Sequence, residues 1–228
     1  LKNKLIVFDL DGTIIDVFGC GRRALDRTMA EMYNITGISD EINLSTTDYG
    51  VIIHLLNNYN LKGIFFERID EFNSTYSKEL MIEIKNYKNS RLMPGFPAIL
   101  EYLKNHPDSC LALATGNMKI GAITKMSYFE LNKYFPVGGY GDNLLTKKDV
   151  ILNGYINAID YYKTSFRKAN VFVIADTVVD INAAKDLGFN SIAVKTGFDD
   201  NEKLIQSEPD WIFNNFSNID EFERIFKN

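Results

Sequence analysis

Cysteine, histidine, tryptophan and proline are all scarce in this chain, at 2, 2, 1 and 5 residues among 228. Cys20 and Cys110 lie far apart without a CxxC spacing, and His54 and His106 are the only imidazoles, so a structural zinc site is not expected. Two isolated thiols fit reduced core or near-core residues of a cytoplasmic protein. Long apolar runs are missing as well. Nothing approaches the roughly 18 residues of a membrane span, and the apolar stretch at residues 5–8 is too short for a signal-peptide core and runs straight into acids. Nor is there an excess of positive charge. With 25 Lys and Arg against 30 Asp and Glu, a net charge of −5, the chain lacks the basic face of a nucleic-acid binder. Internal repeats, low-complexity tracts and Pro-rich linkers are also absent. These absences lead to the expectation of a cytoplasmic protein with neither membrane nor nucleic acid as partner. Its length suffices for one sizeable core carrying a large insertion.

Against this background one stretch stands out, Lys4-Leu-Ile-Val-Phe-Asp-Leu-Asp-Gly-Thr13. The apolar run at 5–8 has the length of a buried strand, and Val and Ile favour that state. It ends in two carboxylates, Asp9 and Asp11, at the end of a strand where open α/β sheets bind ligands. Two acids that close repel each other, and a hard divalent cation such as Mg2+ is the simplest remedy. The plain alternative is a strand that ends in a polar turn.

From residue 15 to 92 the spacing predicts helices and no strand. Ala24, Leu25, Thr28, Met29, Met32 and Tyr33 define a first apolar face, ended by Gly37. Val51, Ile52, Leu55 and Leu56 define a second, after the N-cap types of Ser45-Thr-Thr-Asp48. A third and longer one runs through Phe65, Ile69, Phe72, Tyr76, Leu80 and Ile84. Beyond residue 92, short apolar runs at 110–115, 171–175, 191–194 and 211–213 alternate with helical patterns, and Gly138-Gly-Tyr-Gly141 reads as a loop. Such alternation predicts a three-layer α/β/α, Rossmann-like parallel sheet. The helical stretch is too long for an ordinary crossover. The expected organisation is therefore an α/β core from residues 1–14 and 93–228 with an α-helical domain, 15–92, inserted into it.

In a parallel sheet the strand ends share one edge, and here they bring Asp9 and Asp11 together with Thr115, Asp176 and Asp180. Lys147 and Lys148 fall in the stretch between the second and third strands. Acids with a metal, a cation and a hydroxyl make a site for a dianionic phosphoryl group. Each residue also has a plainer role open to it. Thr115 would cap the next helix, Asp176 and Asp180 would be helix-start acids favoured by the dipole, and Lys147-Lys148 would be a solvated pair.

The motifs, in this order, resemble those of the haloacid dehalogenase superfamily, in particular its Mg2+-dependent phosphatases with a helical C1 cap, and lean towards phosphoglycolate phosphatases. Asp9-Leu-Asp-Gly-Thr13 is similar to the first motif, Thr115-Gly-Asn117 to the second, a Lys to the third and Asp176-Thr-Val-Val-Asp180 to the fourth. Gly138-Gly-Tyr-Gly141 and Lys195-Thr-Gly197 extend the likeness over nearly the whole length. The resemblance implies Asp9 as a nucleophile that forms an aspartyl-phosphate and Asp11 as general acid and base. It implies Thr115, Gly116 and Lys147 as phosphate binders, with Lys148 the alternate. Mg2+ would be held by Asp9, Asp176 and the backbone carbonyl of Asp11, with Asp180 behind them. Ala175 departs from the family's pattern, which has Gly before the fourth motif. A cap that closes over the crevice implies a small phosphorylated substrate, with Arg22, Arg23 and Asp48 as candidates for its recognition.

Other chemistries of the superfamily fit less well. The 2-haloacid dehalogenases lack the acid equivalent to Asp11. Phosphonoacetaldehyde hydrolases need an early cap Lys, and none occurs between Lys4 and Lys62. β-Phosphoglucomutases carry a His and a Lys where residues 14–34 have neither. A β-phosphoglucomutase-like transferase and a catalytically idle binding protein remain as alternatives. A receiver module, with its phosphorylated Asp on a later strand and no large helical insertion, matches less closely.

Overall fold

Residues 4–37, 47–197 and 199–226 are described by a computed structural model. The apolar run becomes β1 (Lys4–Phe8), followed by a two-residue strand, β2 (Ile15–Asp16). Four helices come next: α1 (Cys20–Tyr33), α2 (Asp48–Asn58), α3 (Lys62–Glu67) and α4 (Ile69–Asn86). A second short strand, β3 (Arg91–Leu92), leads to α5 (Phe96–Asn105) and β4 (Ser109–Ala114). Then follow α6 (Lys119–Tyr128), β5 (Gly138–Gly139), α7 (Lys147–Tyr162) and β6 (Val171–Ala175). The chain finishes through α8 (Val178–Leu187), β7 (Asn190–Val194), α9 (Asn201–Gln206), β8 (Trp211–Phe213) and α10 (Ile219–Phe226).

Six strands form one parallel sheet in the order β5-β4-β1-β6-β7-β8. β1 is central, and its side chains alternate between the two faces as strand geometry requires. Ile6 and Phe8 pack into a core with Phe96, Phe216, Phe222 and Phe226. Leu5 and Val7 face the other way, towards Val150, Ile151, Ala158 and Ala184. The result is the α/β/α, Rossmann-like arrangement that the alternation of runs implies. Register then decides where the site can be. Phe8 is level with Leu113 of β4 and Ile174 of β6, so Asp9, Thr115 and Asp176 all emerge from one edge. No helix among the described residues is long and apolar enough to cross a membrane.

Four details differ from the sequence expectation. Within 15–92 the pattern predicts no strand, yet β2 and β3 form an antiparallel ribbon, pairing Ile15 with Leu92 and Asp16 with Arg91. Two-residue strands have no periodicity to detect; the Arg91–Asp16 ion pair at 2.9 Å and the sheet bonds define this one. The third apolar stripe is broken at Arg68 into α3 and α4. The stripe survives the break because Phe65 and Phe72 still meet edge to face, 5.1 Å between centroids. Gly138-Gly139, expected in a loop, forms the edge strand β5. A Cβ on Gly139 would lie 2.0 Å from the Val150 carbonyl oxygen, so glycine lets α7 pack directly on that strand. α1 ends at Tyr33 with Asn34 in the left-handed region, before Gly37 is reached. Of the Ser45-Thr-Thr-Asp48 caps, Ser45 and Thr46 lie outside the described residues, and Thr47 is the N-cap of α2, accepting from the Gly50 N–H at 3.1 Å.

Candidate active site

β1 passes directly into Asp9, whose N–H donates to the Ile174 carbonyl and whose carboxylate is 5% exposed. Lys147 opens α7, where Thr146 caps the helix by accepting from the Asp149 N–H. From there its buried Nζ reaches Oδ1 of Asp9 at 3.0 Å and Oδ1 of Asp180 at 3.1 Å. Asp180 sits in the first turn of α8 and receives the hydroxyl of the N-cap, Thr177. Its helix-start position and its contact with Lys147 therefore go together. Lys148 points outward to Asp186, 3.1 Å away. Burial pushes the Asp9 carboxyl up to about 7 despite the Lys147 ammonium. Burial works against the charge on Lys147, but Asp180 and Asp9 outweigh it and hold the lysine well above its usual range.

Asp176 follows β6 and precedes the cap of α8, so it caps no helix itself. The Thr13 hydroxyl donates to its Oδ1 at 3.0 Å. Its Oδ2 fills a slot that only glycine leaves open: a Cβ on Gly12 would stand 2.4 Å from it and one on Gly197 1.6 Å. Gly12 also has φ +82°, a conformation L side chains avoid. The Thr196 hydroxyl donates to the Gly12 carbonyl at 2.6 Å, tying the two walls of the slot together.

Asp11 is held from the other flank. Its Oδ2 accepts from Lys125 Nζ at 2.6 Å and from Asn117 Nδ2 at 2.7 Å. Lys125 also donates to Asn117 Oδ1 at 2.7 Å, and Asn117 Nδ2 donates to Thr115 Oγ1 at 2.6 Å. Thr115 is not a helix cap, since α6 is capped at Met118. Because its oxygen accepts from Asn117, the hydroxyl proton is directed elsewhere, and Thr115 lines the cavity. Sequence reasoning missed Lys125 altogether. The one available signal was a lysine on the buried face of α6, in helical register with Gly121, Ala122 and Met126.

The resulting cavity, about 230 Å3, is floored by Asp9, Asp11, Thr115 and Lys147. Val17, Phe18, Leu25 and Val51 supply apolar walls from the helical block, and Arg22 and Asp48 supply polar ones. Asp48 ties the block to the loop beneath it, its N–H donating to the Gly116 carbonyl at 2.8 Å and its Oδ2 accepting from the Met118 N–H at 3.0 Å. Burial lifts the Asp48 carboxyl to about 6, and Lys125 opposes the rise. Arg23 does not line the cavity; its Nε donates to Glu83 at 2.6 Å and braces α1 against α4.

Four carboxylates, Asp9, Asp11, Asp176 and Asp180, face two ammonium groups, Lys125 and Lys147. That surplus of negative charge and the all-oxygen donor set fit a hard divalent cation of the Mg2+ kind. No three carboxylate, imidazole or thiolate side chains form a metal cage among the described residues. The resemblance noted above would instead have such a cation held by Asp9, Asp176 and the Asp11 backbone carbonyl.

The sequence model of the haloacid dehalogenase-like hydrolases matches residues 6–194. A phosphoglycolate phosphatase of Synechococcus elongatus is 24% identical over 129 residues, 57% of this chain and 58% of that one. A phosphoglycolate phosphatase of Agrobacterium fabrum is 24% identical over 227 residues, covering 94% and 90% of the two chains. Among solved structures, a haloacid dehalogenase-like family hydrolase from Streptococcus pneumoniae superposes with a TM-score of 0.64 at 20% identity, over 97% of this chain and 99% of that one.

Proposed function

The chain belongs to the haloacid dehalogenase-like hydrolase family, and on that premise we propose that it is a Mg2+-dependent phosphatase of a small phosphomonoester, working through an aspartyl-phosphate on Asp9. The observation that carries this reading is the pairing of both acids at the end of β1 with buried ammonium groups, Asp9 with Lys147 and Asp11 with Lys125, around one cavity. In the proposed sequence a carboxylate oxygen of Asp9 attacks phosphorus while Lys147 and the Thr115 hydroxyl bind the phosphoryl oxygens. Asp11 gives its proton to the departing oxygen. It then takes a proton from the water that attacks the aspartyl-phosphate, which releases phosphate and restores Asp9. When bound by Asp9, Asp176 and the Asp11 carbonyl, Mg2+ supplies positive charge to the phosphoryl oxygens and keeps the buried Asp9 ionised.

The helical block, taken as residues 15–92, acts as the cap. Its walls leave about 230 Å3, room for a small metabolite and not for a protein or a duplex. Arg22 and Asp48 are the residues we assign to contact with the leaving group. Phosphoglycolate, the substrate in the name of both relatives above, is the first ester to try. The test is release of inorganic phosphate from a panel of phosphorylated metabolites with and without Mg2+. Turnover should vanish with EDTA and return with Mg2+, and Asp9→Asn should fold normally and release no phosphate above background. An Asp9→Asn enzyme at near wild-type rate would refute the assignment.

A further inference from the structure

Lys125 is an expensive residue where it stands. Its side chain is only 5% exposed, in the middle of α6, on a helix face otherwise made of small and apolar residues. An ammonium is tolerated there only if its protons are well used. Two of them go to Asp11 Oδ2 and Asn117 Oδ1, and Asn117 closes the ring by donating to the same Asp11 Oδ2. A carboxylate oxygen has two lone pairs. On Oδ2 both are occupied, by an amide and an ammonium.

The helical block covers this ring. Tyr76 of α4 comes down onto α6 where Gly121 leaves room, since a Cβ there would be 3.1 Å from the tyrosine ring. A Cβ on Gly21 would stand 3.5 Å from Lys125 Nζ and 3.6 Å from the Tyr76 oxygen, so these groups meet under the first turn of α1. One residue further along α4, Ser77 shares a hydrogen bond of 2.7 Å with Thr124. Kept from water on this side, the contacts to Asp11 act in a low-dielectric setting where they are strong.

From this we infer that Lys125 is the positioning residue of Asp11: with Asn117 it saturates Oδ2 and fixes the carboxyl plane, so that the transferred proton is carried on Oδ1. The inference rests on the phosphatase reading. In its terms the Oδ1–H bond breaks as the leaving oxygen gains the proton, and Oδ1 takes a proton back from the attacking water. Lys125 exchanges no proton; its end lines the cavity beside Asp11, and its part is to hold that acid rather than to bind the ester.

The inference separates esters by how much they need that proton. An aryl leaving group such as p-nitrophenolate departs without one, whereas an alkyl oxygen does not. Lys125→Met should therefore lower kcat/KM for an alkyl phosphate, phosphoglycolate for instance, by about 10- to 100-fold, a part of the usual worth of a general acid. For p-nitrophenyl phosphate the loss should be far smaller. In an Asp11→Asn background, Lys125→Met should cost nothing further on the alkyl ester, because the two act as a unit. Should the methionine variant fail to fold by circular dichroism, Asn117→Ala, which removes the other donor to Oδ2, should show the same discrimination between esters. Equal losses on both esters, or additive losses with Asp11→Asn, would overturn the role. A wild-type enzyme that hydrolyses neither ester would instead sink the phosphatase reading itself, before any variant is made.

Discussion

Asp9 and Asp11 leave the same strand two residues apart, yet the sheet serves them with two differently built partners. On the Asp9 side the lysine begins a helix and bridges two carboxylates, Asp9 and Asp180. On the Asp11 side the lysine sits mid-helix and shares its acid with an amide, Asn117. The first arrangement leaves a cation facing the cavity floor, suited to a group whose charge grows there. The second locks an oxygen in place under a cover of helices. In the proposed mechanism charge supply and proton delivery make opposite demands on a lysine, and the two flanks would answer them separately.

That contrast can be tested directly. The largest effect should come from Lys147→Met, which removes the donor proposed for the phosphoryl oxygens. A loss of about 10²–10³ in kcat/KM is expected, and it should be equal for aryl and alkyl esters, unlike the loss at Lys125. Lys148→Met, which touches only the exposed Asp186, should leave both rates near wild type. If Lys148→Met were the damaging variant, the two-flank comparison would collapse. A smaller change should follow from Gly12→Ala. The new Cβ would stand 2.4 Å from Asp176 Oδ2, so the concentration of Mg2+ for half activity should rise by about 10–100-fold, measured by titrating the metal-stripped enzyme.

The smallest effect concerns Asp48, on the Asp11 side. Its carboxyl is raised from 3.8 to about 6 in the fold, so the folded chain holds that proton more tightly than the unfolded one. Ionising it therefore weakens the fold as pH climbs through that interval. Asn keeps an acceptor for the Met118 N–H and carries no charge. Asp48→Asn should match wild type in Tm at pH 4 and exceed it at pH 7.5 by roughly 2–4 °C. A variant less stable at pH 7.5 than at pH 4, relative to wild type, would show that the ionised form is the stabilising one.

Five of the six strands of the sheet were legible because each is a short apolar run, and because β1 breaks off into Asp-x-Asp-Gly-Thr; the two glycines of β5 were not. Lys147 was legible only through the family resemblance, and Asp176 and Asp180 also from their position after the run 171–175. Lys125 was not, because a lysine inside a helical pattern ordinarily faces water. What turns it inward is a neighbour distant in sequence, Asp11, and the spacing that puts Lys125 on the buried face of α6 does not name that partner. The ribbon was hidden for a related reason: Ile15-Asp16 and Arg91-Leu92 are too short to show a period and pair across the whole helical block.

The ribbon also bears on how the helical block is attached. Asp16 and Arg91 are directly opposite in an antiparallel pair and joined by an ion pair of 2.9 Å, which is the geometry a two-residue Asn-Gly hairpin turn closes. The segment between them, residues 17–90, therefore leaves and re-enters the chain at adjacent points. Both ends of the helical block are thus fastened at one seam, on a single pair of strands and one ion pair.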